Sequence, residues 1–490
     1  MTPDRLALDP VQFGVCAALL ALIAGLTWWW CRGEGARGDA AGDGAERDYF
    51  LAGGGLGWVF VAGSITLTNL STDQLVGMNG NQMALLAWWE LAAVVGLLIL
   101  AFVFLPIYYR EDCKTTTELL ERRYGDPHIR ALISALFLLG NVLIFLPAVL
   151  YSGSLFMAEL FGIDVPIMVL ATLFAVVGAA YAIFGGLRAV AVSDTFSGVL
   201  LLAMALAVVW LALDRVGFDL SDVPRERLSM IGGPDSPIPW PTLLTGMLFI
   251  QIFYWSTNQT ITQRAMASPT VWEAQKGVLV AAGIRLLIVP AIVVIPGIVA
   301  FKLYGDIDDR AYGRIAGDVL PVWMSGAFAA AMAAAVLTTF NSILNSSAAL
   351  WVLDIHETYI AERPRIRPLS IAVSLVMVAV ALALVPVYAT AESIINLLQQ
   401  LYGLLSMPIL SAFIVGLMFR GVRAGPMIAG VVTGVVFYGL VTAPFSPLTV
   451  DGEGWLGVHY IHWMLATLIL CVATALAANA LTGGRREVVA

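Results

Sequence analysis

Five short runs place oxygen and charge inside an otherwise apolar chain, and they set the chemistry open to it. The first reads Ser64-Ile65-Thr66-Leu67-Thr68-Asn69-Leu70-Ser71-Thr72-Asp73-Gln74-Leu75-Val76-Gly77-Met78-Asn79-Gly80-Asn81. A span this polar and glycine-bearing is expected to unwind midway. Unwinding frees backbone carbonyls for a hard cation such as Na+ and turns half-helix dipoles toward a solute. An intact helix whose polar face packs on its neighbours is the alternative. The second run is Trp88-Trp89-Glu90, followed by a long apolar stretch to Pro106. Its charge belongs either to a polar site or to an outer interface where it reaches water.

The third run, Phe249-Ile250-Gln251-Ile252-Phe253-Tyr254-Trp255-Ser256-Thr257-Asn258-Gln259, mixes aromatic faces with amides. Such walls suit sugars, because rings cover the apolar face of the sugar and amides match its hydroxyls; they also serve plain helix packing. The fourth, Ala281-Ala282-Gly283-Ile284-Arg285-Leu286-Leu287, carries a guanidinium deep in an apolar span. Arg285 needs a partner, and Glu90, Asp73 or an anionic solute would supply one. The fifth runs from Ala333 through Thr338, Thr339, Asn341 and Ser342 to Ser347, combining small residues that admit close backbone approach with hydroxyl ligands.

Catalysis and organic cofactors find no residues here. Cys16, Cys31, Cys113 and Cys471 share no CxxC spacing, and His128, His356, His459 and His462 form no zinc or haem set. Gly53-Gly54-Gly55-Leu56-Gly57 lacks the strand and helix of a dinucleotide fingerprint. A net charge of -8, from 26 basic and 34 acidic residues, argues against nucleic acid. No obligate protein partner is evident.

The elements that must position these runs are membrane helices. Of 490 residues, 60% are hydrophobic and 12% charged, against roughly 25% charged in a soluble domain. Apolar stretches of about 20 residues cross roughly 30 Å of hydrocarbon. Thirteen are expected, at 10–31, 53–83, 84–109, 131–160, 164–184, 189–213, 240–263, 277–304, 318–352, 367–389, 393–419, 424–446 and 458–482. The first is read as a retained helix rather than a signal peptide, since Asp4, Arg5 and Asp9 precede it and Trp28, Trp29 and Trp30 end it at the interface. An outer amino terminus and inner carboxyl terminus put most basic residues inside, among them Arg110, Lys114, Arg122, Arg123, Arg130, Arg264, Lys276, Arg420 and Arg423. Spans two and seven each open a run of five helices. Two odd-numbered units in succession insert with opposite topology, the inverted-repeat plan of many secondary transporters.

Several motifs resemble the sodium/solute symporter family, especially its sodium/glucose cotransporter branch. They are Asp48-Tyr49-Phe50-Leu51-Ala52-Gly53-Gly54, Thr68 to Gly77, Tyr181-Ala182-Ile183-Phe184-Gly185-Gly186-Leu187-Arg188-Ala189-Val190 with Ser193-Asp194, Asn258-Gln259 with Gln263-Arg264, Ala274-Gln275-Lys276-Gly277 and Leu344-Asn345-Ser346-Ser347. The match runs in the family's order over roughly residues 45–425.

The resemblance implies an all-α, LeuT-type fold of five plus five inverted helices in a single transmembrane domain. The first repeat is 53–213 and the second 240–419, with one preceding helix at 10–31 and two following at 424–482. It also implies a Na+-coupled symporter in the cell membrane, multi-pass and bacterial inner-membrane in type, that imports a small polar solute by alternating access. A main sodium site then falls on the carbonyls of Leu67, Leu70 and Ala335 and the hydroxyls of Thr338 and Thr339. A second sodium would use Asp194 with Thr338, Asn341 and Ser342, and Asn341 standing where a hydroxyl residue can occur leaves one-ion stoichiometry open. The solute pocket of the sugar branch matches Asn69, Gln74, Glu90, Gln251, Arg285 and Gln399, with Tyr254 as gate. Gln251 replaces a shorter amide and Arg285 a lysine, so a monosaccharide stands first, and an acidic sugar or another polyhydroxylated solute second. A membrane sensor without transport is the reading from another class. It lacks an output domain, since only a tail with Arg485 and Arg486 follows Leu481.

Overall fold

A computed structural model describes residues 9–31, 50–184, 187–361, 366–391, 393–442, 455–483 and 487–488. Asp4, Arg5, Asp48, Tyr49, Gly185, Gly186, Arg485 and Arg486, used in the reading above, lie outside the described residues.

Apolar sequence becomes helix almost throughout, because only intrasegment hydrogen bonding satisfies a backbone in hydrocarbon. In chain order the helices that bear on the site begin with α1 (Pro10–Cys31), α2 (Trp58–Asn69), α3 (Thr72–Gly80), α4 (Ala84–Arg110), α5 (Pro127–Phe161), α6 (Ile167–Phe184) and α7 (Leu187–Arg215). They continue with α8 (Gly246–Ser256), α9 (Gln259–Met266), α10 (Val271–Tyr304), α11 (Ala311–Val319), α12 (Val322–Tyr359), α13 (Ile366–Tyr388), α14 (Ile394–Met418), α15 (Ala424–Thr442) and α16 (Tyr460–Leu481). Among the described residues, 10 helices are long and apolar enough to cross a membrane, and α8 and most of α6 are shorter apolar helices. The two-residue strands Phe419–Arg420 and Glu487–Val488 pair antiparallel.

The centre of the molecule is α12, buried along nearly its whole length, whereas α1 is barely covered and exposes Trp28, Trp29 and Trp30. The alanine run of α12 has almost no side-chain bulk, so α1, α7, α5 and α2 all pack against that helix. Around the polar α2–α3 pair stand α5, α7, α10 and α14. Close approach between α4 and α8 depends on Gly96: a Cβ there would lie 2.4 Å from the carbonyl oxygen of Gln251.

Within α5, the turn Asn141–Phe145 widens to a π-helical one just ahead of Pro147. Proline lacks the N–H that would close an ordinary turn, and such widened turns recur where side chains are aimed at a site.

Candidate functional site

The second span is broken, at Leu70 and Ser71. Leu70 has φ -75° and ψ 65°, and Ser71 is extended at φ -101° and ψ 179°. The amide of Ser71, which would close onto Leu67 in a continuous helix, bonds to Asn69 O at 2.7 Å instead. The first turn of α3 is closed by Leu75 N donating to Ser71 O at 3.0 Å. Leu67 thereby loses its helical partner, and α2 ends with its carbonyls facing the break. Asp73 sits in the first turn of α3, where the helix dipole favours a negative charge, and it accepts from the Ser71 hydroxyl.

A second break separates α8 from α9. Thr257 and Asn258 leave helical geometry, and Asn258 caps α9 by accepting from Thr260 N at 2.9 Å. Its amide also donates to the Tyr402 hydroxyl at 2.7 Å. The two breaks meet where Asn69 Nδ2 donates to the Tyr254 hydroxyl at 3.0 Å.

Between them lies a cavity of about 60 Å³, whose polar lining residues are Asn69, Asp73, Gln74, Glu90, Gln251, Tyr254, Gln399 and Tyr402. Trp89, Trp255, Phe145, Met78, Ile250, Ile395 and Leu398 complete the lining with apolar surface. The space holds a few water molecules. Aromatic rings and amides in one lining are groups that can hold a hydroxylated ring by stacking and hydrogen bonding together.

The Glu90 charge in this wall is compensated by Arg285. Arg285 is fully buried and donates to Glu90, itself 1% exposed, which also accepts from Gln74. A further donor of Arg285 reaches Thr66 O at 3.2 Å, at the electronegative end of α2. Its guanidinium carbon lies 4.3 Å from the Trp255 ring centroid. Trp255 in turn donates to Gln251 Oε1 at 2.9 Å, and Gln251 Nε2 donates to Trp89 O at 2.9 Å. Arg285 therefore stands behind the cavity wall and orders it through Glu90 and Trp255, while Asn69, Gln74, Glu90, Gln251 and Gln399 face the space directly.

On α12, Thr338, Thr339, Asn341 and Ser342 are all buried. The Thr339 and Ser342 hydroxyls and both amide atoms of Asn341 have no hydrogen-bond partner. Thr338 bonds back to Ala335 O at 3.3 Å, α12 packs against both α2 and α3, and Thr339 shares the lining of a small cavity with Thr68, Asn69 and Ser71 at the first break. Asp194 on α7 accepts from the Ser64 hydroxyl at 2.6 Å, and Ser64 accepts from Arg264 Nε at 2.9 Å. Asp194 and Arg264 are both fully buried.

Sequence reasoning missed Asp73 as a wall residue, although it lies one turn beyond Asn69 in the same polar run. It also missed Phe145 and Tyr402, whose apolar contexts carry no marker, and the Arg264–Ser64–Asp194 chain, which joins three separate helices, whereas Trp89 and Trp255 stand in runs the sequence had already singled out.

A profile of the sodium:solute symporter family matches residues 49–434. The chain is 36% identical over 429 residues to the Uncharacterized symporter YidK of Escherichia coli (strain K12), spanning 82% of this chain and 73% of that protein. It is 29% identical over 450 residues to the Sodium/glucose cotransporter of Vibrio parahaemolyticus, spanning 84% and 81%. Among solved structures, a Na+-coupled sialic acid symporter in a substrate-bound outward-open state superposes with a TM-score of 0.80 at 18% identity, covering 99% of this chain and 100% of that one. At that identity the likeness is one of fold.

Proposed function

The chain belongs to the sodium:solute symporter family of multi-pass membrane transporters, and on that premise we propose that it imports a monosaccharide together with Na+ by alternating access. The observation that carries the reading is the pairing of a fractured helix with an aromatic and amide cavity. The fracture leaves Leu67 and Leu70 at the end of α2, α12 packs against α2 and α3, and Leu67, Leu70, Ala335, Thr338 and Thr339 are our assignment for the coupling ion. Carbonyls and alcohols are the oxygen donors a hard cation takes. The cavity beside it, through Asn69, Gln74, Glu90, Gln251 and Gln399 with Arg285 behind, is our assignment for the solute, and Tyr254 is its gate.

A sugar is favoured by the mixture of rings and amides and by the likeness to the Vibrio cotransporter. An acidic sugar is the weaker reading, because Glu90 already compensates the one guanidinium at the wall. A second ion at Asp194, Thr338, Asn341 and Ser342 has unpartnered oxygens in its favour, but Arg264, linked through Ser64, already balances the Asp194 charge.

We further assign thirteen crossings with the amino terminus outside, counting α6 and the two broken helices with the long ones. Residues 53–213 and 240–419 are taken as inverted repeats, each opened by its broken helix, with 10–31 and 424–482 as additions. One Na+ moving down about 100 mV and a tenfold gradient supplies roughly 2.3 plus 1.4 kcal/mol, enough for several-hundredfold accumulation of a neutral solute.

The test is uptake into proteoliposomes across a broad sugar panel, with an inward Na+ gradient against equal K+. Accumulation of one or more sugars only with Na+ is expected. Uptake indifferent to the gradient across the whole panel counts against both ion and solute.

A further inference from the structure

A second, smaller cavity of about 20 Å³ adjoins the first and shares its Asn69, Asp73, Phe145 and Tyr254 walls. Its size suits one water or one dehydrated ion, and no sugar. Three oxygens along it have no hydrogen-bond partner: Thr68 Oγ1, Asn69 Oδ1 and Thr339 Oγ1. Thr68 and Thr339 are 3% and 4% exposed, so bulk water does not satisfy them. The carboxylate of Asp73 joins this wall with the Ser71 hydroxyl as its side-chain donor.

The opposite wall has its donors engaged elsewhere. Asn141 Nδ2 donates to Ser347, Asn258 Nδ2 to Tyr402, and the Thr260 hydroxyl pairs with Ser346. A structurally satisfied buried carboxylate looks different in this same molecule: Asp354 accepts from Thr115, Thr117, Ser134 and Arg130 together. Asp73 has no such guanidinium, and beyond what the α3 dipole offsets, a carboxylate charge at membrane depth is stabilised only by taking up a proton or a cation. One carboxylate among neutral oxygens matches a monovalent ion better than a divalent one, whose sites gather several carboxylates.

We propose that this cavity is a cation site for Na+, formed by Asp73, Thr68, Asn69 and Thr339 and contiguous through Thr339 with the main sodium site. The inference rests on the reading of the α2–α3 break as a sodium pathway. It adds a charge partner on α3 that the main site lacks, and it places a second ion against Tyr254, the residue assigned as gate.

Equilibrium binding of radiolabelled Na+ to the purified full chain, without solute, tests it. Wild type is expected to hold one Na+ more than either Asp73→Asn or Thr68→Val, or to hold that ion at least tenfold more tightly. Thr68→Val keeps shape and charge while removing one oxygen, so it separates loss of a ligand from loss of folding. Equal stoichiometry and affinity in wild type and both variants overturns the site and leaves the symport reading intact. A loss confined to Asp73→Asn also overturns it, since a charge effect at a distance needs no ligand at Thr68. Failure of wild type to bind any Na+ overturns both readings.

Discussion

Asn69 donates its amide hydrogen to the Tyr254 hydroxyl at 3.0 Å, tying the first helix break to the end of α8 just before the second. Tyr254 also packs against Trp255 and Tyr402, with ring centroids 5.1 and 5.9 Å away. Tyr254→Phe keeps those ring contacts and deletes only the bond. A neutral hydrogen bond contributes about 0.5 to 1.5 kcal/mol, so the half-saturation concentration for a transported sugar should rise by about 2- to 12-fold. Kinetics of Na+-driven uptake in proteoliposomes measure this, and an unchanged value would separate Tyr254 from the gate.

The Glu90–Arg285 pair should behave as a buried ion pair whose members depend on each other. Removing one partner from such a pair typically costs about 3 to 5 kcal/mol, whereas replacing both by apolar or neutral groups costs far less. Glu90→Gln should therefore lower the melting temperature of the purified chain more than the double variant Glu90→Gln with Arg285→Met. Additive losses in the thermal melts would show that the two side chains are not coupled.

Outside the membrane spans, Asp309 lies in the loop between α10 and α11 and accepts from Ile394 N, at the start of α14, at 3.0 Å. Burial pushes its carboxyl up from 3.8 to about 7, against the pull of the Ile394 N–H and with a further push from Asp308. The packed joint thus holds a proton that an exposed carboxylate would release. Its extra stability is complete below 3.8 and is lost as pH rises through about 7. Hydrogen exchange at residues 305–310 and 393–396, corrected for intrinsic rates, should slow by up to about tenfold per pH unit as pH falls below 7. In Asp309→Asn that dependence should vanish.

Much of this arrangement was readable from residue types, and the limits have physical causes. The run from Ser64 to Asn81 announced a break because so many side-chain oxygens cannot face lipid. Its location at Leu70 and Ser71 did not follow from the glycines, which lie further on in α3. The break at Thr257 and Asn258 was masked by the aromatic residues before it, whose pattern reads as a wall. Arg285 visibly required a partner, but choosing Glu90 over Asp73 needed three-dimensional proximity. That choice matters, since it leaves Asp73 as the carboxylate facing both cavities.

In the proposed ion site, peptide oxygens at the α2–α3 fracture and the alcohols of α12 hold the coupling ion. Thr339→Val keeps the shape of the side chain and removes one of those oxygens. The decisive measurement is the Na+ concentration dependence of sugar uptake by wild type and Thr339→Val in proteoliposomes. Half-maximal uptake in the variant should need at least tenfold more Na+, about 1.4 kcal/mol of lost binding. Superimposable sodium curves for the two proteins would contradict it.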